Sequence, residues 1–414
     1  MATLISNIKS LVNVRDSNKL LRGKELAELP LIESAYLIIE GAEISAFGKM
    51  KELSFNPGTF AFHFDAAGRM VLPSWCDSHT HMVFAGSREN EFVDKINGLS
   101  YAEIAAKGGG ILNSAKKLND ISEEELFQES INRLQQLIRL GTGAIEIKSG
   151  YGLTVEGELK MLRVIKRLKE TVKMPIKATF LGAHTFPEKY KNDREGYISL
   201  IINSMLPAIS KDGLADYIDV FCEEGFYTPD ETERICKAGM EVGLKPKIHA
   251  NQLKVSGGVQ TGIKVGAISV DHLESMDDNA INSLSKSSTI GTLLPSAAFF
   301  LRMPFQPARR LIDSGAAIAL ASDYNPGSSP SGNMNFVVAL SCIQMKMVPE
   351  EAINAATLNG AYAMEVEKIC GSISQGKLAN LIVTKPIPSI AYLPYSFGSN
   401  LVDKVMLAGE WVTD

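Results

Sequence analysis

Nowhere in the 414 residues does an apolar run reach the roughly 18 residues that a membrane span needs. The opening segment, Met1-Ala2-Thr3-Leu4-Ile5-Ser6-Asn7, lacks the basic start and apolar stretch of a secretion signal. Cysteine is scarce and scattered: Cys76, Cys222, Cys236, Cys342 and Cys370, with no CxxC spacing. An odd count without such pairs argues against a disulfide framework and a thiolate zinc site, and fits a reducing, cytoplasmic compartment. The formal charge of −5 provides no basic surface, so neither nucleic acid nor a membrane is expected as a partner. Phosphate-binding frames are missing as well. Gly108-Gly109-Gly110 has neither the GxxxxGK[ST] nor the GxGxxG spacing and reads as a flexible loop.

What is present is the balance of a globular protein, 45% apolar and 21% charged. Residues 1–70 are β-rich. Tyr36–Glu40 and Glu43–Phe47 flank a Gly41 turn, and Phe60–Asp65 alternates apolar and polar residues, with His63 in a structural place. Residues 71–365 change texture. Eight short apolar runs read as strands: Val71–Asp77, Ala144–Lys148, Ile176–Gly182, Tyr217–Glu223, Lys247–Ala250, Ala267–Asp271, Thr289–Leu294 and Ala317–Ser322. Amphipathic helical spacings separate them, such as Ile131, Leu134, Leu137 and Ile138, then Met161, Ile165, Leu168 and Val172. Repeated βα units of this number and length predict an α/β fold, a distorted TIM (β/α)8 barrel. A doubly wound sheet is the alternative, but His79-Thr80-His81 stands where its glycine-rich turn would fall. Residues 366–414 turn β-like again, so the two ends of the chain are expected to build one small β-sandwich domain.

Barrel enzymes carry their chemistry at the C-terminal ends of strands. Five of the six histidines fall at such ends, with only His63 elsewhere, and that concentration makes a weak His-x-His signal a strong one. His79 and His81 are two apart and share a strand face. With His249 they offer three neutral nitrogens, and Asp323 offers a carboxylate oxygen, a donor set for a cation that lowers the pKa of water to about 7. Asp323 is also placed to take the water's proton, and His272 is a candidate base because its ordinary pKa lies near neutrality. The cation or His184 could supply positive charge to an oxyanion. Arg88 offers a fork for a carboxylate, and Tyr151, Asn325, Gly327 and Ser328 offer hydroxyl and amide groups. Together they describe a pocket for a small anionic molecule.

His79-Thr80-His81, the lone His249 and His272, and Asp323 at the eighth strand resemble the amidohydrolase superfamily. The segments Glu146–Leu153, Phe180–Thr185 and Ser322–Ser328 resemble, within it, the imidazolonepropionase family. The resemblance spans essentially the whole chain. It implies hydrolysis of the cyclic amide of 4-imidazolone-5-propanoate, a small anionic heterocycle, to N-formimino-L-glutamate in histidine degradation. It implies that His79, His81, His249 and Asp323 hold one Zn2+ or Fe3+ ion per subunit. Arg88, Tyr151, His184, Asn325, Gly327 and Ser328 would contact substrate, His272 would assist catalysis, and the assembly would be a homodimer. Some members carry a carboxylate where this chain has Gln252. A neutral amide binds but is no base at neutral pH, so Gln252 is assigned to substrate binding. Strand four offers Glu223 and no lysine, which favours a single metal. A purine or pyrimidine deaminase, another cyclic amidase with two metals, and a non-catalytic binding protein are the competing readings.

Overall fold

A computed structural model describes residues 2–54, 58, 60–99, 103 and 109–413. Gly108 of the glycine loop lies outside them. Two sheets of eight strands organise these residues. The first takes β1 Ala2–Val12, β2 Leu31–Glu40, β3 Glu43–Lys49, β4 Phe62–Asp65 and β5 Met70–Pro73 from the front of the chain, and β14 Leu381–Thr384, β15 Val402–Leu407 and β16 Glu410–Trp411 from its end. The expected hairpin is there: β2 and β3 run antiparallel, with Gly41 at φ +61° in their turn. The two chain ends meet where β5 pairs antiparallel with β14 through Leu72 and Ile382. Ile5, Ile8, Leu37, Val71, Leu381 and Met406 fill a shared apolar core. His63 has the structural place expected of it, with its Nε2 2.7 Å from the Ser6 hydroxyl.

The second sheet is all parallel, in simple chain order: β6 Trp75–Thr80, β7 Thr142–Lys148, β8 Ile176–Ala183, β9 Tyr217–Cys222, β10 Lys245–Ala250, β11 Ser269–His272, β12 Ile290–Leu293 and β13 Ile318–Leu320. Helices lie between its strands with their apolar stripes inward. Helix α1, Glu123–Arg139, buries Ile131, Leu134, Leu137 and Ile138, and opens with Ser122 accepting from Glu125 N–H. Helix α2, Val155–Thr171, buries Met161, Ile165 and Leu168. The ring closes irregularly. Beyond the short β13, Asp323 N–H donates to His79 C=O (3.0 Å) and His81 N–H donates to Tyr324 C=O (2.9 Å), so the closing seam is itself the segment that carries the site.

One expected strand is corrected. Val71–Asp77 is two strands in two sheets, parted at Ser74. Pro73 has no N–H to extend a ladder, and the backbone partners change there: Ser74 N–H goes to Asn380 C=O (3.0 Å) and Trp75 N–H to Gly141 C=O (2.9 Å). Asn380 clasps the crossing, since its side-chain amide also donates to Gly143 C=O at 2.8 Å. A Cβ on Gly143 would stand 1.9 Å from Ser74 Oγ and 2.5 Å from Ser74 Cβ. We therefore expect Gly143→Ala to destabilise the protein by about 1–3 kcal/mol through overpacking, read as a lower denaturation midpoint. An unchanged midpoint would show that the two sheets can separate at this seam without cost.

Candidate metal centre

The inward positions of successive strands build the site in layers. At its base lie five charged side chains, all buried: Glu146 and Lys148 on β7, Asp219 on β9, Lys247 on β10 and Asp271 on β11. A buried ion is tolerated only when paired, and these are. Lys148 Nζ donates to Glu146 Oε1 (2.6 Å) and Asp219 Oδ2 (2.8 Å), and stands 3.5 Å from Asp271 Oδ2. Lys247 pairs with Glu146 Oε2 and also donates to Ser78 C=O (3.3 Å) and Ala363 C=O (3.1 Å). Burial alone would strip the Lys148 proton, but the three carboxylates overcome it and hold the pKa above the ordinary lysine value.

The carboxylates fix the histidines above them. Asp271 Oδ2 lies 2.7 Å from His79 Nδ1, and Asp219 Oδ2 lies 2.9 Å from His249 Nδ1. With Nδ1–H donated downward, Nε2 of each ring carries a lone pair upward. Burial first, then neighbouring positive charge, holds His79, His81 and His249 well below the ordinary histidine pKa, so all three rings are neutral. His81 Nε2 lies 3.3 Å from Nε2 of both other rings. Asp323 Oδ1 is 3.5 Å from Nε2 of His79 and of His81. Lone pairs so crowded repel unless something positive sits among them, and one proton on His81 cannot serve all of them. Neighbouring ligand atoms around one ion at about 2.0–2.2 Å stand about 3.3–3.5 Å apart, and the His79–His81, His81–His249, His79–Asp323 and His81–Asp323 pairs have that spacing. The residues present fit a metal ion: the ligand atoms of His79, His81 and His249 lie within 4.8 Å of one another, as do those of His79, His272 and Asp323. His81 Nδ1 has no partner among the described residues. That ring is instead stacked on His184, with centroids 5.3 Å apart and planes 17° from parallel.

Over this cage opens a cavity of about 440 Å3. Of the twelve residues singled out from the sequence, eleven line it; His79 lies beneath. Asn325 organises one wall, its Oδ1 accepting from Gly327 N–H and Ser328 N–H at 2.8 Å each, while Ser328 Oγ donates to Asp323 Oδ2 at 3.2 Å. Arg88 stands against that wall: a Cβ on Gly327 would lie 2.3 Å from its Nη1, so only glycine permits the approach. The other edge of the guanidinium is held by Glu91. Burial pushes Asp323 up to about 6, with the positive charge of His272 opposing, and a bound cation would oppose it further. Glu146, Lys148, Asp219 and Lys247 are charged residues inside otherwise apolar strand runs, and that is the signal by which the sequence marks them. Phe221 and Phe226, which pack together and line the cavity, gave no signal beyond ordinary core aromatics.

His184 requires a correction. Its Nδ1 lies 3.1 Å from Gly150 C=O, which can only accept, so Nδ1 carries the proton and Nε2 is an acceptor. Burial holds its pKa down to about 4. A neutral acceptor cannot be the positive partner of an oxyanion. His272 has that capacity: burial pulls its pKa down, but the charge of Glu274 and the 3.4 Å contact with it prevail and raise it.

Among the described residues, Lys148 is the ammonium that contacts both histidine-holding carboxylates. We expect Lys148→Met to weaken metal affinity about 10–100-fold, measured by chelator competition, and to cost about 3–5 kcal/mol of folding stability. Unchanged metal affinity in a folded variant would contradict that linkage.

The model of the amidohydrolase family matches residues 70–412. The imidazolonepropionase of Flavobacterium johnsoniae is 57% identical over 411 residues, covering 99% of this chain and 100% of that protein. The imidazolonepropionase of Christiangramia forsetii is 55% identical over 413 residues, covering 100% of each. Among solved structures, the guanine deaminase of E. coli superposes with a TM-score of 0.77 over 100% of this chain and 99% of that one; at 14% identity, this likeness is one of fold.

Proposed function

The chain belongs to the amidohydrolase family and, within it, to the imidazolonepropionases, and from that premise we propose how its own side chains carry the reaction. The reaction is hydrolysis of the cyclic amide of 4-imidazolone-5-propanoate to N-formimino-L-glutamate, in histidine degradation. The observation that carries the assignment of roles is the cluster of His79, His81, His249 and Asp323, in which His81 Nε2 lies 3.3–3.5 Å from a ligand atom of each of the other three, on the floor of a cavity that Arg88 borders.

One Zn2+ or Fe3+ ion held by those four residues would supply Lewis acidity, bringing the pKa of water there toward about 7. Arg88 receives the propionate on the guanidinium face that Glu91 leaves free, and fixes the ring over the cage. Neutral His184 accepts a ring N–H through Nε2, and Tyr151 and Gln252 complete the polar contacts. Asp323 takes a proton from the attacking water as the new C–O bond forms. His272, with Glu274 behind it, donates toward the carbonyl oxygen while that atom gains charge. When the ring C–N bond breaks, Asp323 returns its proton to the departing nitrogen. Gln252 is neutral and moves no proton. The same reading places the enzyme in the cytoplasm as a homodimer. No helix among the described residues is long and apolar enough to cross a membrane.

Purified protein mixed with freshly prepared imidazolone propionate should remove its ultraviolet absorbance, and a chelator should suppress the loss. Release of ammonia from guanine or cytosine instead would favour a deaminase. Asp323→Ala should abolish turnover. Arg88→Ala should mainly raise KM, by about tenfold or more, with kcat little changed, because the propionate contact is made equally in ground and transition states. A pure fall in kcat for Arg88→Ala would overturn its assignment.

A further inference from the structure

Glu158 lies in the first turn of α2 and is fully buried, yet it does not line the cavity. Its carboxylate turns back over the loop between β7 and α2. Oε2 accepts from Gly150 N–H at 3.0 Å, while Oε1 accepts from Gly152 N–H at 2.8 Å and Leu153 N–H at 2.9 Å. The Ser149 hydroxyl oxygen accepts from Leu181 N–H on β8 at 3.0 Å, tying the start of the same loop to the neighbouring strand. One buried anion thus gathers three backbone donors of a loop whose own conformation is demanding, with Gly150 at φ +110° and Leu153 at φ +52°.

That loop is what the substrate would meet. Tyr151 projects from it into the cavity, and Gly150 C=O sets the tautomer of His184. The peptide whose carbonyl receives His184 Nδ1–H follows directly after the Gly150 N–H that Glu158 holds. We propose that Glu158 is a positioning residue for substrate binding: its buried carboxylate fixes the Ser149–Leu153 loop so that His184 presents an unprotonated Nε2 and Tyr151 its hydroxyl to the ring. The proposal rests on the reading of the cavity as the imidazolone site, but its first consequence, the His184 tautomer, does not depend on the identity of the substrate.

Glu158→Gln keeps the shape and replaces one acceptor oxygen with an NH2 group aimed at a backbone N–H. In protein labelled with 15N-histidine, with the His184 signals identified by their loss in His184→Gln, the parent should show His184 protonated at Nδ1. Glu158→Gln should shift that signal to the Nε2–H form or to a mixture. KM should rise about tenfold with kcat changed less than about twofold and metal content unaltered. Ser149→Ala, which removes a single hydroxyl from the same web, should show a smaller shift in the same direction, and it decides the matter should Glu158→Gln not fold. An unaltered His184 signal and KM in whichever of these variants folds would overturn the proposal. If the tautomer shifts but the protein does not act on imidazolone propionate, the positioning role stands and the substrate reading falls.

Discussion

The structure depends on the rule that charges on the inner face of a closed barrel must neutralise each other, because no water reaches them. Lys148 and Lys247 face Glu146, Asp219 and Asp271 across the axis, each buried and each held by more than one partner. Such a lattice adds little net stability over an apolar filling, since desolvation consumes most of the attraction. Its effect here is orientation. Asp219 and Asp271 are turned upward against two imidazoles, and those imidazoles have no freedom to choose another tautomer.

The layer above is built with backbone strain. Asn251, His272, Leu273 and Asp323 all take positive φ, from +53° to +88°, within three residues of a strand end or, for Asp323, on the closing seam. A non-glycine residue in that region costs about 1–3 kcal/mol, and the surrounding hydrogen bonds impose it. For Asp323 these are its N–H to His79 C=O and the Asn325 side-chain amide on its own carbonyl, 2.6 Å away. The same bonds that close the barrel therefore aim the carboxylate at the histidines.

The sequence made the barrel legible because short apolar runs and period-three-to-four helical stripes alternate cleanly along residues 71–323. It made the floor of the cavity legible because histidine is rare here and falls almost wholly at strand ends. Other parts were hidden for physical reasons. Val71–Asp77 reads as one strand because apolar residues continue through Ser74, while the switch between sheets is dictated by Asn380, far away in sequence. Asp219 stands inside an apolar run, and its role depends on β7 and β10, which set Lys148, Lys247 and His249 beside it. Glu158 sits on a helix face where a glutamate is commonplace, and only the loop folded over it reveals its three backbone donors. The misreading of His184 arose because a sequence does not show which ring nitrogen meets a carbonyl.

The most direct test of the four-residue cage is X-ray absorption at the metal edge on protein as purified, with metal content measured on the same sample. One ion per chain, bound by three imidazole nitrogens and a carboxylate oxygen at about 2.0–2.2 Å, is the expected result. Two ions per chain, sulfur in the coordination sphere, or a spectrum unchanged in His249→Ala would contradict the account.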